Sequence, residues 1–114
     1  MMAADSTVRR LESFLSQIRV LDDAMPVQQL ACFLAIAHRE GQSIVELSRS
    51  LGLAQSSASR NVSSLSDWDW EKRPGLDLVE TKVDPLELRK KQVVLTSKGR
   101  RLVEQIESIF REGK

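Results

Sequence analysis

A mainly α-helical fold with one small β-hairpin is what this sequence predicts, and three observations lead there. Apolar residues recur at spacings of three and four through most of the chain. One interval, residues 76–95, changes to an alternating pattern broken at Asp84-Pro85. Ahead of that interval, a capping signature at Ser43 and a glycine at position 52 mark out two short consecutive helices.

The first helix is expected over about residues 6–21, where Val8, Leu11, Phe14 or Leu15, Ile18 and Leu21 form one stripe. Asp22, Asp23 and Pro26 break it; the two aspartates read as a turn rather than a carboxylate dyad. Pro26 suits the first turn of a second helix, about Val27 to Arg39. Leu30, Ala31, Phe33, Leu34, Ile36 and Ala37 make that helix apolar nearly all round, which places it at the centre of the fold. Glu40 and Gly41 end it.

Ser43-Ile44-Val45-Glu46 follows as a capping box, in which the serine hydroxyl caps the third backbone amide and the glutamate reaches back. The third helix carries Val45, Leu47 and Leu51 and stops at Gly52, which supplies the positive φ of a tight inter-helix turn. A serine-crowded fourth helix runs from about Gln55 to Ser66. Ala54 stands where a Ser or Thr cap is usual, a loss of roughly 1 kcal/mol unless Gln55 or Ser56 substitutes.

In the hairpin, Leu76, Leu78 and Val83 precede the break and Gln92-Val93-Val94-Leu95 follow it. Its tip, about Asp84 to Lys91, reads as long and charged. Thr96 caps a last helix, about Ser97 to Glu112, with Leu102, Ile106, Ile109 and Phe110 along one side.

Composition narrows the class. The 114 residues fit one domain, 1–114, with enough chain to bury a core without staples. Cys32 is the single cysteine, so no intrachain disulfide exists. The opening MMAADSTVRRLE carries charges where a secretory signal needs an apolar core. The longest uncharged run, Ala24 to Ala37, is too short to span a bilayer. A cytoplasmic protein, nucleoid-associated when on DNA and with no membrane partner, is the expectation.

Net charge is +1, but its distribution is uneven. Between Glu87 and Arg101, the basic residues Arg89, Lys90, Lys91, Lys98, Arg100 and Arg101 face one acidic residue, Glu87. Such a patch on a near-neutral chain reads either as a face that approaches phosphates or as a solvated charge run.

The chemistry of residues 43–66 favours the first. Two short helices joined through a glycine form a helix-turn-helix, the arrangement that sets a second helix into the DNA major groove. At 100° per residue, Ala58, Val62 and Leu65 face the protein, while Ser56, Arg60 and Ser63 face away with Ser59 and Ser64 flanking. Arg60 suits a bidentate pair with guanine and Gln55 one with adenine; the hydroxyls of Ser56, Ser57, Ser59 and Ser63 suit phosphates or base edges. Gln55 and Ser56 stand at the helix N-terminus, where the dipole and open amides favour a phosphate. An ordinary serine-rich surface helix is the plain alternative.

The run Ser43-Ile44-Val45-Glu46-Leu47-Ser48-Arg49-Ser50-Leu51-Gly52-Leu53, followed by Ser57-Ala58-Ser59-Arg60-Asn61-Val62-Ser63-Ser64-Leu65, resembles the helix-turn-helix of the multiple antibiotic resistance regulator (MarR) family. The resemblance continues through Gly75-Leu76 and Glu87-Leu88-Arg89 into Leu95-Thr96-Ser97-Lys98-Gly99, and covers roughly Pro26 to Ile109. It implies a winged helix-turn-helix that works as a homodimer on pseudo-palindromic double-stranded DNA, with residues 76–95 as the wing. It also implies a wing arginine oriented by an acidic residue, here Arg89 and Glu87, where the family has Asp in place of Glu. The side chains of Arg89, Lys90 and Lys91 independently suit a narrow minor groove. A homodimeric repressor is the resulting expectation.

Two features depart from that pattern. The link Ser66 to Pro74 is long for the family and holds both tryptophans. We read Trp68 and Trp70 as packing over the hairpin or the second helix, the alternative being a docking site for a protein partner such as a polymerase or replication factor. The chain is also short, so residues 1–25 and 97–114 must supply the dimer interface. Val8, Leu11, Leu15 and Ile18 would then meet Leu102, Ile106, Ile109 and Phe110, either within one subunit or across two.

No catalytic residue, metal site or cofactor motif emerges. Cys32 reads as a small core residue, and His38 has no second ligand at metal spacing. With no Tyr, two Trp and three Phe, the sequence carries no specific signal for a small-molecule effector pocket.

Overall fold

A computed structural model describes the backbone of residues 3–111 and the side chains of residues 6–87 and 90–111. In chain order the elements are α1 (Ala3–Leu21), α2 (Val27–His38), α3 (Ile44–Leu51), α4 (Gln55–Leu65), β1 (Val79–Asp84), β2 (Glu87–Leu95) and α5 (Ser97–Arg111). This is the five-helix, one-hairpin order the sequence predicts.

The local signals act as their chemistry requires. Asp22 Oδ1 accepts the Ala24 amide and turns the chain after α1, and Pro26 stands at the N-cap of α2 rather than inside its first turn. Ser43 Oγ accepts the Glu46 amide at 3.1 Å, and Glu46 Oε1 accepts the Ser43 amide at 2.9 Å. That reciprocal pair holds the Glu46 carboxyl below the usual carboxylate range, the Ser43 amide contributing most. Gly52 closes α3 at φ 67°, a left-handed conformation that costs glycine nothing. Thr96 Oγ1 accepts the Gly99 amide and opens α5.

The core gathers Ile18 of α1, Cys32, Phe33 and Ile36 of α2, Leu47 of α3, and Val62 and Leu65 of α4. Leu78, Val79, Val93, Leu95 and Leu102 complete it. Each fully buried aliphatic or aromatic side chain contributes about 1.5–3 kcal/mol. The α2 helix packs against α3, α4 and β2, yet it is not enclosed all round: Leu34 and Val27 face solvent. Cys32 is fully buried, and burial pushes its thiol pKa up, as a core residue requires.

The hairpin corrects the sequence expectation at both ends. Its ladder starts at Val79↔Leu95, not at Leu76, because the amides of Leu76, Asp77 and Leu78 are already committed. They donate to the carbonyls of Ser64, Ser66 and Leu65 at the end of α4. The tip is also shorter than the charge pattern implied. Asp84 pairs with Glu87, leaving Pro85 and Leu86 as the turn, and Asp84 Oδ1 accepts the Leu86 amide at 2.9 Å. Because Val83 pairs with Lys91 while Asp84 pairs with Glu87, the surplus residues Leu88 to Lys90 form an irregular bulge on β2. A further bridge, Gln42↔Val93, adds a third edge to this small sheet. Gln42 also donates to the Ala35 and Arg39 carbonyls and so closes the end of α2.

Two contacts seat α5. A Cβ on Gly99 would stand 2.1 Å from the Leu78 carbonyl oxygen, so only glycine permits this approach. Glu40 joins three elements: Oε1 accepts the Leu95 amide at 2.8 Å, and both oxygens accept from the Arg100 guanidinium at 2.9 and 3.0 Å. Partial burial pushes the Glu40 carboxyl up, but the Leu95 amide and Arg100 outweigh it and hold it below the usual range.

Two stability predictions follow from these contacts. Gly99→Ala should cost about 1–3 kcal/mol in denaturant unfolding, because backbone has to move to admit the methyl group. Glu40→Gln should cost about 1 kcal/mol at pH 7, a figure kept low because Arg100 is half exposed to solvent. The Glu40 pKa is depressed in the folded chain, so its contribution is present above the unfolded value, about 4.3, and is lost as pH falls through the folded one. The melting temperatures of the two proteins should therefore differ at neutral pH and converge as the pH falls below the folded pKa of Glu40.

Candidate nucleic-acid interface

The α4 helix has two faces, divided by side-chain size. Ala58, Val62 and Leu65 are at most 4% exposed and lie against α2 and α3. Gln55, Ser56, Ser59 and Arg60 are exposed, while Ser57, Asn61, Ser63 and Ser64 are half-buried. Ala54 provides no side-chain cap and neither Gln55 nor Ser56 replaces it, so the first turn of α4 presents backbone amides. Asn61 locks the inner edge, donating to Gln28 Oε1 at 3.0 Å and to the Ser57 carbonyl at 2.9 Å.

Ser63 departs from the expected outward face. Its hydroxyl donates to the Trp68 carbonyl at 3.4 Å and so helps to hold the link that follows the helix. That link is a small folded unit rather than a loose connection. Trp68 bridges Pro74, and Asp69 anchors the turn between them. Asp69 Oδ1 accepts the amides of Glu71 and Arg73, and Oδ2 accepts Arg73 Nε at 2.9 Å. The Arg73 amide, with lesser help from its guanidinium and the Glu71 amide, holds the Asp69 carboxyl below the usual range.

The tryptophans do not pack away as the sequence reading had it. Trp68 is 59% and Trp70 53% exposed. Trp68 lies over a groove between α4 and the hairpin, and Trp70 lies beside Arg60, whose Cζ stands 5.0 Å from the ring centroid. Sequence reasoning flagged Arg60 and Trp70 separately, but no periodicity links a helix residue to a ring ten positions on in an irregular segment.

The wing residues divide. Lys91 is exposed and lines the groove shared by Ser59, Ser63, Trp68 and Thr81. Lys90 and Lys91 also flank Ser43, Ile44 and Val45 at the start of α3. The side chain of Arg89 lies outside the described residues, so its expected place on the wing rests on the β2 backbone alone. Glu87 pairs across the turn with Asp84. Two further members of the basic run are used within the protomer: Lys98 Nζ donates to the Leu76 carbonyl, and Arg100 holds Glu40, while Arg101 is exposed. Thr81, which the sequence reading passed over, is brought to the same groove because it sits opposite Val93 in the ladder.

The residues assigned to the dimer interface also separate. Ile18 and Leu102 are 4% and 5% exposed and belong to the core of this protomer, the within-subunit alternative. Ile106 and Ile109 are half-buried. Val8, Leu11, Leu15 and Phe110 are 40–56% exposed and remain a large apolar surface on α1 and α5. No described helix is long and apolar enough to cross a membrane.

No protein-family model matches the chain, and no curated protein sequence does. Solved structures do. A MarR-like transcriptional regulator from Thermotoga maritima is 28% identical at a TM-score of 0.66, over 97% of this chain and 77% of that one. A mutant of S. aureus MepR bound to an oligodeoxyribonucleotide is 23% identical at a TM-score of 0.64, over 93% and 71%. The transcriptional repressor CouR, bound to a 23-mer DNA duplex, is 19% identical at a TM-score of 0.63, over 96% and 70%. These neighbours are regulators rather than enzymes. The helix order, the two-stranded wing and these structural matches together show a winged helix-turn-helix fold like that of MarR regulators.

Proposed function

We propose that this protein is a sequence-specific, non-enzymatic DNA-binding transcriptional regulator, a homodimeric repressor acting on a pseudo-palindromic operator. The observation that supports it most is the division of α4. One face is sealed into the core by Ala58, Val62 and Leu65, and the other presents Gln55, Ser56, Ser59 and Arg60 to solvent. Small hydroxyl side chains let a helix sit deep in the major groove, and Arg60 supplies a bidentate donor for guanine. Lys91 adjoins this face and follows the β2 bulge that carries Arg89, which suits backbone and minor-groove contact alongside. Two relatives of the same fold were solved on DNA.

The half-exposed tryptophans support a second reading, a winged-helix module that docks on another protein through Trp68 and Trp70. Retention on DNA and heparin columns separates the two. Loss of retention with rising salt belongs to a DNA binder, and indifference to both matrices belongs to the docking module.

Selection from random duplexes should enrich a two-fold motif whose half-sites lie about one helical turn apart. Arg60→Ala should relax one position in each half-site by about 1–3 kcal/mol. Arg89→Ala should weaken all sequences and lower the salt slope of binding by about one unit. A flat selection, with Arg60→Ala binding as the parent does, rejects the reading.

Dimerisation has its own test. Burying a charge in the apolar surface of α1 should be costly only if a second copy covers it. Leu15→Glu should therefore sediment as a monomer, melt near the parent temperature and bind the operator more weakly. A parent protein that is itself monomeric at working concentration, or a Leu15→Glu dimer, contradicts the assignment.

A further inference from the structure

We propose that Trp70 is a positioning residue for Arg60, which makes the Ser66–Pro74 link a working part of the recognition unit; this rests on reading α4 as the DNA-reading helix.

Arg60 lies on the exposed face of α4, and its guanidinium Cζ sits over the Trp70 ring at 5.0 Å. Among the described residues it makes no hydrogen bond or ion pair. A ring face attracts a guanidinium through its quadrupole but takes no hydrogen bond from its N–H groups. All five donors therefore stay available to a base edge while the side chain is held in place. An unsupported arginine on a helix surface samples many rotamers and must lose them on binding. Holding it beforehand lowers that cost and sharpens the geometry on which bidentate readout depends.

The support is itself fixed. The Asp69 carboxylate takes two amides and the Arg73 guanidinium, and the Asp69 amide donates to the Arg73 carbonyl at 2.8 Å. The Gly75 amide donates to the Asp67 carbonyl at 2.7 Å, and Ser63 reaches from α4 to the Trp68 carbonyl. Trp70 is thus carried on a turn closed at its base and tied to the helix that it serves. The turn also answers an electrostatic problem. Asp69 and Glu71 stand near a surface meant for phosphates, and Arg73 pairs with both, at 2.9 and 3.4 Å. A ring exposed over half its surface beside an arginine has little to do for the core: among the described residues its one cation–π contact is with Arg60.

The test is a two-residue cycle measured on selected and random duplexes. Trp70→Ala should reduce discrimination at the base pair read by Arg60 by about three- to thirtyfold, from an exposed to a desolvated cation–π contact. Affinity for a random duplex should stay as in the parent, since phosphate contacts are untouched. Trp70→Phe should recover most of the discrimination, and on an Arg60→Ala background Trp70→Ala should change nothing further. Near-parent melting temperatures confirm that the variants fold. Equal effects of Trp70→Ala in both backgrounds, or uniform weakening across all sequences, would overturn the proposal and leave the DNA-reading role of α4 standing. If Arg60→Ala itself leaves sequence preference unchanged, the proposal and the assignment of Arg60 as reader fall together.

Discussion

The peptide groups of Leu78 hold the working parts of this protein in one frame. Its amide donates to the Leu65 carbonyl at the end of α4 at 2.7 Å, and its carbonyl accepts the Thr96 amide at the end of β2 at 3.0 Å. The same carbonyl is the atom against which Gly99 brings α5, and the Leu78 side chain is 1% exposed. Asp77, just before it, takes a φ of 56° and accepts the Thr96 hydroxyl at 2.7 Å, which turns the chain out of the link and into β1. Reading helix, wing and last helix are therefore positioned by a stretch of backbone that can neither shift nor lengthen without breaking buried hydrogen bonds. That rigidity sets the relation between α4 and the hairpin, which the proposed function requires to meet the same duplex.

Around this frame the charges are sorted by task. Lys98 and Arg100, which look like part of a basic patch, secure the Leu76 carbonyl and Glu40 and help to seat α5. Arg60 stays exposed on α4 beside Trp70, and Lys91 lines the groove between α4 and the wing. The link, which lengthens the path from α4 to β1, folds back beside Arg60 instead of extending into solvent. Its tryptophans stay exposed and take no part in the core.

Most of the helical architecture was legible in the sequence because its determinants are local. The capping box at Ser43, the left-handed Gly52, the Thr96 cap and the Asp22 turn each depend on residues within a few positions, and each forms as its chemistry dictates. The inward face of α4 was equally legible, since Ala58, Val62 and Leu65 share an arc of one helix. What escaped depends on contacts between distant segments. The first hairpin residues look like strand, but their amides go to the end of α4, so the ladder starts at Val79. The wing tip shrank because an Asp84 side chain closes a turn that charge alone made look long. Ile18 and Leu102 share stripes with exposed residues, and only the packing of α1 against α5 shows that they belong to the core. Arg60 and Trp70 were each singled out, yet their meeting depends on a fold of the link that no spacing rule encodes.

On the proposed function, one face, formed by α4 and the wing, engages a DNA duplex. Amide hydrogen exchange of the whole protein, with and without its selected duplex, tests this most directly. Exchange at residues 55–60 and 84–91 should slow on adding the duplex, with the link around Trp70 slowed as well and the amides of α2 unchanged. Exchange unaltered in those segments, with protection appearing elsewhere on the surface, would contradict it.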